Sequence, residues 1–174
     1  MALEVDILGM QTPYRKPGKF SQIKSDPLMT RVKFAELETK LKKLKQIRPE
    51  AAKEVARLAE LGDFSENVEY QLAKGRLRGI NGGILKLERQ LNDAEIITAN
   101  KGTDVVQVGH TVTIEYNGMQ KIYQILGSSE TKPEKGIISH NSPIGSALLG
   151  HRVGDVVKVK VGEKDVEYKI LKIA

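Results

Sequence analysis

Two apolar seams, each stepping alternately by three and four residues, constrain this chain more than any other feature. The first runs through Phe34, Leu37, Leu41, Leu44, Ala51, Val55 and Leu58; the second through Tyr70, Ala73, Leu77, Ile80, Ile84, Leu87, Leu91 and Ala94. That spacing is the signature of helices packed side by side. A short segment, Gly62-Asp63-Phe64-Ser65, separates the seams, and short connections make neighbouring helices antiparallel. The expected product is a thin rod about 45 Å long, at about 1.5 Å per residue. Residues 62–66 are expected at its far end. One slot of the first seam falls on Arg48, directly before Pro49. Proline disfavours a helical conformation in the residue before it, which predicts a kink or a restart there. Gly75, Gly79, Gly82 and Gly83 lie off the second seam. Each costs about 1 kcal/mol against alanine, so this helix is expected to depend on its partner for order.

The texture differs on either side of the rod. Residues 1–29 carry Gly9, Pro13, Pro17, Gly18 and Pro27 without sustained periodicity. They read as a flexible arm with one short extended piece at Leu3–Leu8. After residue 104 the period shortens: Val106, Val108, Val112, Ile114 and Tyr116 approach alternation, Asn117-Gly118 signals a hairpin, and Ile122 to Leu126 follows. Val153–Val161 and Val166–Ile173 form a second strand pair around Gly162. Between the pairs, Ser142 is suited to cap a short helix, Pro143 to open it and Gly150 to end it. The expected class is α+β: a coiled-coil domain over 30–98, then an antiparallel sheet with one short helix over 104–174.

Composition excludes several kinds of chemistry. The chain of 174 residues has no cysteine, which removes disulfides, cysteine-ligated metals and cysteine nucleophiles. Its three histidines, His110, His140 and His151, share no ligand-like spacing. No bound cofactor is expected. The longest stretch without Lys, Arg, Asp or Glu, Gly136–His151, is broken by Asn141, Ser142 and Pro143 and does not suit a bilayer. Glu4 and Asp6 are unlike the basic start of a secretory signal. A cytoplasmic, membrane-independent monomer is the expectation. The net charge of +6 allows contact with nucleic acid without demanding it, and the absence of tryptophan argues against stacking platforms.

Asp63-Phe64-Ser65-Glu66 admits two readings. As a capping box, Asp63 accepts from the start of the second helix and Glu66 reaches back. As a carboxylate pair at the rod's end, the same residues offer hard oxygen donors to Mg²⁺, with a partner supplying the remaining ligands. The readings are compatible. The glycines at 75–83 lack the spacing of a phosphate loop. Lys74, Arg76, Arg78, Lys86 and Arg89 read either as a solvated helix face or as a phosphate-contacting stripe. Gly145-Ser146-Ala147 lacks the spacing of a nucleophile elbow, and His140 and His151 read as surface residues.

The stretch Gly62-Asp63-Phe64-Ser65-Glu66-Asn67-Val68-Glu69-Tyr70 resembles the tip signature Gly-Asp-x-x-Glu-Asn-Ala-Asp/Glu-Tyr of the bacterial Gre transcript cleavage factors, GreA and GreB. It departs at Val68. A second stretch, Asn141-Ser142-Pro143-Ile144-Gly145-Ser146-Ala147-Leu148-Leu149-Gly150, is similar to the family's Asn/Asp-Ser-Pro-x-Ala-Arg-Ala-Leu-x-Gly. It departs at Gly145 and Ser146, where Ala and Arg are usual. Val153-Gly154-Asp155-Val156-Val157 follows as in the family. The resemblance covers about residues 28–174, one motif per domain, and leaves the arm extra.

The resemblance implies an antiparallel coiled coil followed by an FKBP-like domain. It implies that the second domain docks on a coiled coil of the largest RNA polymerase subunit, through Asn141, Ser142, Pro143, Ile144, Leu148 and Gly150. The rod then enters the secondary channel, where the 3′ end of backtracked RNA lies. Asp63 and Glu66 are implied to act in the polymerase's own active site, sharing a Mg²⁺ and orienting the attacking water. Ser65, Asn67 and Tyr70 would support the tip, and Lys74, Arg76 and Arg78 would contact RNA. The stretch from Tyr70 to Arg78 leans toward GreB. A Gre-like inhibitor in the same channel is the alternative, and retention of Asp63 and Glu66 favours the cleavage factor. A prolyl isomerase is disfavoured, because residues 96–174 hold only Tyr116, Tyr123 and Tyr168 to line a pocket. A coiled-coil adaptor without chemistry would use the tip carboxylates as caps alone.

Overall fold

A computed structural model describes residues 26–61, 68–98, 104–161 and 164–174. The extended piece expected at Leu3–Leu8, the turn around Gly162, and Asp63, Ser65, Glu66 and Asn67 lie outside the described residues.

Helices α1 (Arg31–Glu60) and α2 (Val68–Asn92) form the rod. Every apolar seam residue is buried or half-buried, because the alternating spacing keeps one stripe of each helix against the other; Arg48, in the remaining slot, is exposed. Leu37 meets Leu87 near the base, and Ala51 packs with Ile80 and Ile84 farther out, so the helices are antiparallel as expected. Of the kink or restart expected at Arg48–Pro49, the restart does not occur: α1 continues as one helix through Pro49. An internal proline costs about 3 kcal/mol. Beyond it, however, Ala51 and Leu58 are buried, and Arg48 Nε donates to Asn81 Oδ1 at 2.9 Å. Contact with α2 therefore supports the helix beyond Pro49.

The base of the rod is stitched by two short strands. β1 (Leu28–Met29) runs parallel to β2 (Glu95–Ile96). Glu95 N donates to the Pro27 carbonyl at 2.8 Å, and Ile97 N to that of Met29 at 2.9 Å. Met29 closes the core beneath Leu37 and Leu87.

The remaining strands, β3 (Thr111–Tyr116), β4 (Met119–Leu126), β5 (Ile137–Ser139), β6 (Val156–Val161) and β7 (Lys164–Ile173), form one sheet ordered β5-β4-β3-β7-β6. The β3–β4 hairpin turns at Asn117 (φ 48°) and Gly118 (φ 74°), the left-handed pair that suits strand twist. The sheet is mixed rather than wholly antiparallel, because β5 pairs parallel with β4. Two 3₁₀ turns, Ser128–Glu130 and Pro133–Lys135, carry the chain back along β4 before β5 begins. Helix α3 (Pro143–Leu148) closes the core with Val106, Val112, Ile114, Ile125 and Ile170.

The two domains meet where β1 crosses the end of β4. At Gly127 an added Cβ would lie 1.8 Å from the Leu28 carbonyl oxygen, so only glycine admits this approach. Thr30 caps α1 by accepting from Lys33 N at 3.2 Å. A capping box would place an acidic side chain at residue 33 to receive the cap's own N–H. Glu130 supplies it from the other domain, accepting from Thr30 N at 2.7 Å and Thr30 Oγ1 at 2.6 Å. Among the described residues no helix is long and apolar enough to cross a membrane.

Candidate functional site

At the end of the rod away from β1 and β2, α1 is capped at Leu61 and the described part of α2 begins at Val68. Residues 62–67, with the Asp63–Glu66 pair, join these two ends. At about 1.5 Å per residue, the 30 residues of α1 set the span from base to end at about 45 Å. Leu61, Val68 and Leu72 are each about two-thirds exposed around this end. They form an apolar collar that seam analysis misses, since all three lie off the heptad positions.

Below the collar, Tyr70 is half-buried and Lys74 Nζ stands 5.8 Å from its ring centroid, within range of a cation–π attraction. The expected basic stripe divides. Lys74 and Arg78, four residues apart, share a helix face. Arg76 lies across the helix, where Nη1 meets Glu54 of α1 at 3.8 Å. Both partners are exposed, so this pair contributes at most about 1 kcal/mol. Arg76 is thereby drawn toward α1, away from the face that Lys74 and Arg78 present.

The second candidate surface is built on α3. Ser142 is extended, accepts from Gly145 N at 3.0 Å and donates to the Ser139 carbonyl at 2.7 Å. Pro143 opens the helix and Gly150 follows it at φ 80°. Asn141, Pro143, Ser146 and Gly150 are exposed, and Ile144 is half-buried. Leu148 corrects the expected patch: it is fully buried in the core. Six residues make less than two turns of helix, so the side opposite the exposed residues must face the sheet, and Leu148 is on that side. Gly145 has its own reason, since an added Cβ would lie 2.1 Å from the Ser139 carbonyl oxygen. His140 is not a free surface residue either; its ring lies against Asp26 at the domain junction. Among the described residues, no three His, Asp or Glu side chains gather as a metal site.

Fold and sites together define a coiled-coil probe, with an acidic segment at its end, mounted on a small α+β module. Residues 27–96 match the N-terminal domain of a transcription elongation factor family, and residues 100–174 match the GreA/GreB C-terminal domain. Transcription elongation factor GreA of Thermomicrobium roseum is 39% identical over 132 residues, 75% of this chain and 85% of that protein. Its counterpart in Ruegeria pomeroyi is 40% identical over 148 residues, 83% of this chain and 95% of that protein. Among solved structures, GreA factor homolog 1 (Gfh1) of Thermus thermophilus is 29% identical, covering 84% of this chain and 97% of its own, with a TM-score of 0.39. The chain belongs to the GreA/GreB family and is a Gre-type transcription elongation factor. Both relatives bear the GreA name.

Proposed function

We propose that this protein docks on bacterial RNA polymerase through its second domain, inserts the rod into the secondary channel and stimulates the polymerase's own cleavage of backtracked RNA. One observation carries the reading: the Gly62–Tyr70 motif, with both carboxylates retained, joins the far ends of a rod about 45 Å long. Carboxylates that bind a cation weakly gain their use only where a partner supplies the other ligands, and a long probe brings them to a buried site.

The donor set fits a shared Mg²⁺. Asp63 and Glu66 offer hard oxygen ligands, and Mg²⁺ takes one or two protein carboxylates alongside outside ligands. When bound, the ion would lend Lewis acidity to hydrolysis of a phosphodiester. Asp63 and Glu66 would hold it and orient the attacking water. Lys74 and Arg78 would face RNA phosphates on one side of α2, with Ser65, Asn67 and Tyr70 supporting the tip. Asn141, Pro143, Ile144 and Gly150 would contribute the exposed docking edge, with Ser142 holding its shape. The factor would act in the cytoplasm as a monomer. An inhibitor of the same shape would have no need of the carboxylate pair.

The test is a backtracked elongation complex supplied with the purified factor. Release of short 3′ RNA fragments, at rates that rise with factor concentration, is the expected result. Slowed elongation without fragment release would overturn the reading in favour of the inhibitor.

A further inference from the structure

Asp26 lies one residue before the part of the chain that matches the family's N-terminal domain, and its side chain is 91% shielded from solvent at the junction. Its carboxylate gathers three donors: Leu28 N at 3.1 Å on Oδ1, and both Ser128 N and Ser128 Oγ at 2.7 Å on Oδ2. His140 Nδ1 stands 3.4 Å from Oδ2, close enough to feel the charge but misaligned for a hydrogen bond.

The direction of the next bonds follows by elimination. A carboxylate only accepts, and a serine hydroxyl has one proton. The Ser128 proton is committed to Asp26. Ser139 Oγ, 2.8 Å from Ser128 Oγ, must therefore donate to it. The Ser139 oxygen then accepts from Asn141 N at 3.1 Å. The chain runs one way, from Asn141 N–H through Ser139 and Ser128 to Asp26, and such chains strengthen cooperatively. One end is the residue that opens the α3 surface; the other is the segment leading into the rod. The same 3₁₀ turn carries Glu130, which grips the cap of α1.

We propose that Asp26 is a positioning residue, which through Ser128 and Ser139 fixes the aim of the rod relative to the α3 surface. The proposal rests on the polymerase reading above. Aim matters because the lever is long: a swing of about 5° at the base moves the end of a rod about 45 Å long by about 4 Å. A misplacement of about 1 Å can cost a reaction about 100-fold.

The experiment uses the full chain with Asp26→Ala, Ser128→Ala and the conservative Ser128→Thr, which keeps the hydroxyl. The chain has no cysteine, so spin labels at Lys53→Cys on α1 and Lys160→Cys on β6 report one distance by pulsed EPR. The parent should give a narrow distribution, broadened by either alanine substitution and restored by threonine. In backtracked complexes, the alanine variants should lower cleavage at saturating factor about tenfold or more, with the half-saturating concentration changed less than about twofold. Narrow distances in both alanine variants, or broadened distances with cleavage unchanged, would overturn the positioning role. Distances that broaden as expected in a factor whose parent form cleaves nothing would uphold Asp26's hold on the rod and overturn the polymerase reading instead.

Discussion

Replacing Gly75, Gly79 and Gly82 together with alanine should stabilise the rod. All three lie inside α2, and an added Cβ at each meets nothing within 4 Å. The substitutions therefore add no clash, and their effect comes from the chain's lost freedom in the unfolded state. Each contributes about 0.5–1 kcal/mol, so the triple variant should gain roughly 1.5–3 kcal/mol. For a chain of this length each kcal/mol moves the melting temperature by roughly 2–4 °C, an expected rise of roughly 3–12 °C. Gly83 is an internal control, since its added Cβ would lie 3.0 Å from Leu44 Cδ1. Leu44 must give way there, so Gly83→Ala should gain less than any of the other three. Thermal and urea melts followed by far-ultraviolet circular dichroism measure both. A triple variant less stable than the parent would refute the reasoning, by showing that α2 is not regular, open helix at these positions.

Leu148→Ala should cost about 2–5 kcal/mol in urea unfolding, as a cavity in a core does, rather than removing a surface contact from a stable domain. Gly127→Ala should cost at least roughly 1–3 kcal/mol, because a Cβ there would collide with the Leu28 backbone, and melts should show it. Burial tends to raise the Asp26 carboxyl pKa, but hydrogen bonds from Ser128 and Leu28, with the nearby His140, outweigh it and hold the group below its ordinary value. Its contribution to stability is thus fully present above the usual carboxyl pKa of about 4 and is lost as pH falls through the lower folded value. Melting temperatures across acidic pH should fall less steeply in Asp26→Asn than in the parent.

The rod was the most legible part of the sequence, because helical periodicity is local and each seam residue reports its own burial. Asn117-Gly118 and Ser142-Pro143 were legible for a similar reason, since turns and caps depend on residues within three or four positions. That α1 runs on through Pro49 was not legible, because it depends on the packing of Ala51 and Leu58 against α2. Leu148 misled because the motif gives its place in the chain but not the side of α3 that meets the sheet. β5 escaped notice, since three residues, Ile137–Ser139, are too few to show a period. The junction was beyond local reasoning altogether: Asp26 and Ser128 are 102 positions apart, and Thr30 and Glu130 are 100 apart. The one available hint was Thr30 followed by Lys33, a cap lacking its usual acidic partner.

Transcript cleavage by the Asp63→Asn, Glu66→Gln double variant, measured in backtracked complexes across a Mg²⁺ titration, tests the central claim most directly. Asparagine caps a helix about as well as aspartate, and glutamine keeps the capping-box geometry. The double variant should therefore melt like the parent and compete for polymerase equally well. It should lose most cleavage stimulation, because amide oxygens are poorer ligands for a hard cation, and excess Mg²⁺ should restore part of it. Full cleavage stimulation at ordinary Mg²⁺ would contradict the account and leave the tip carboxylates as helix caps.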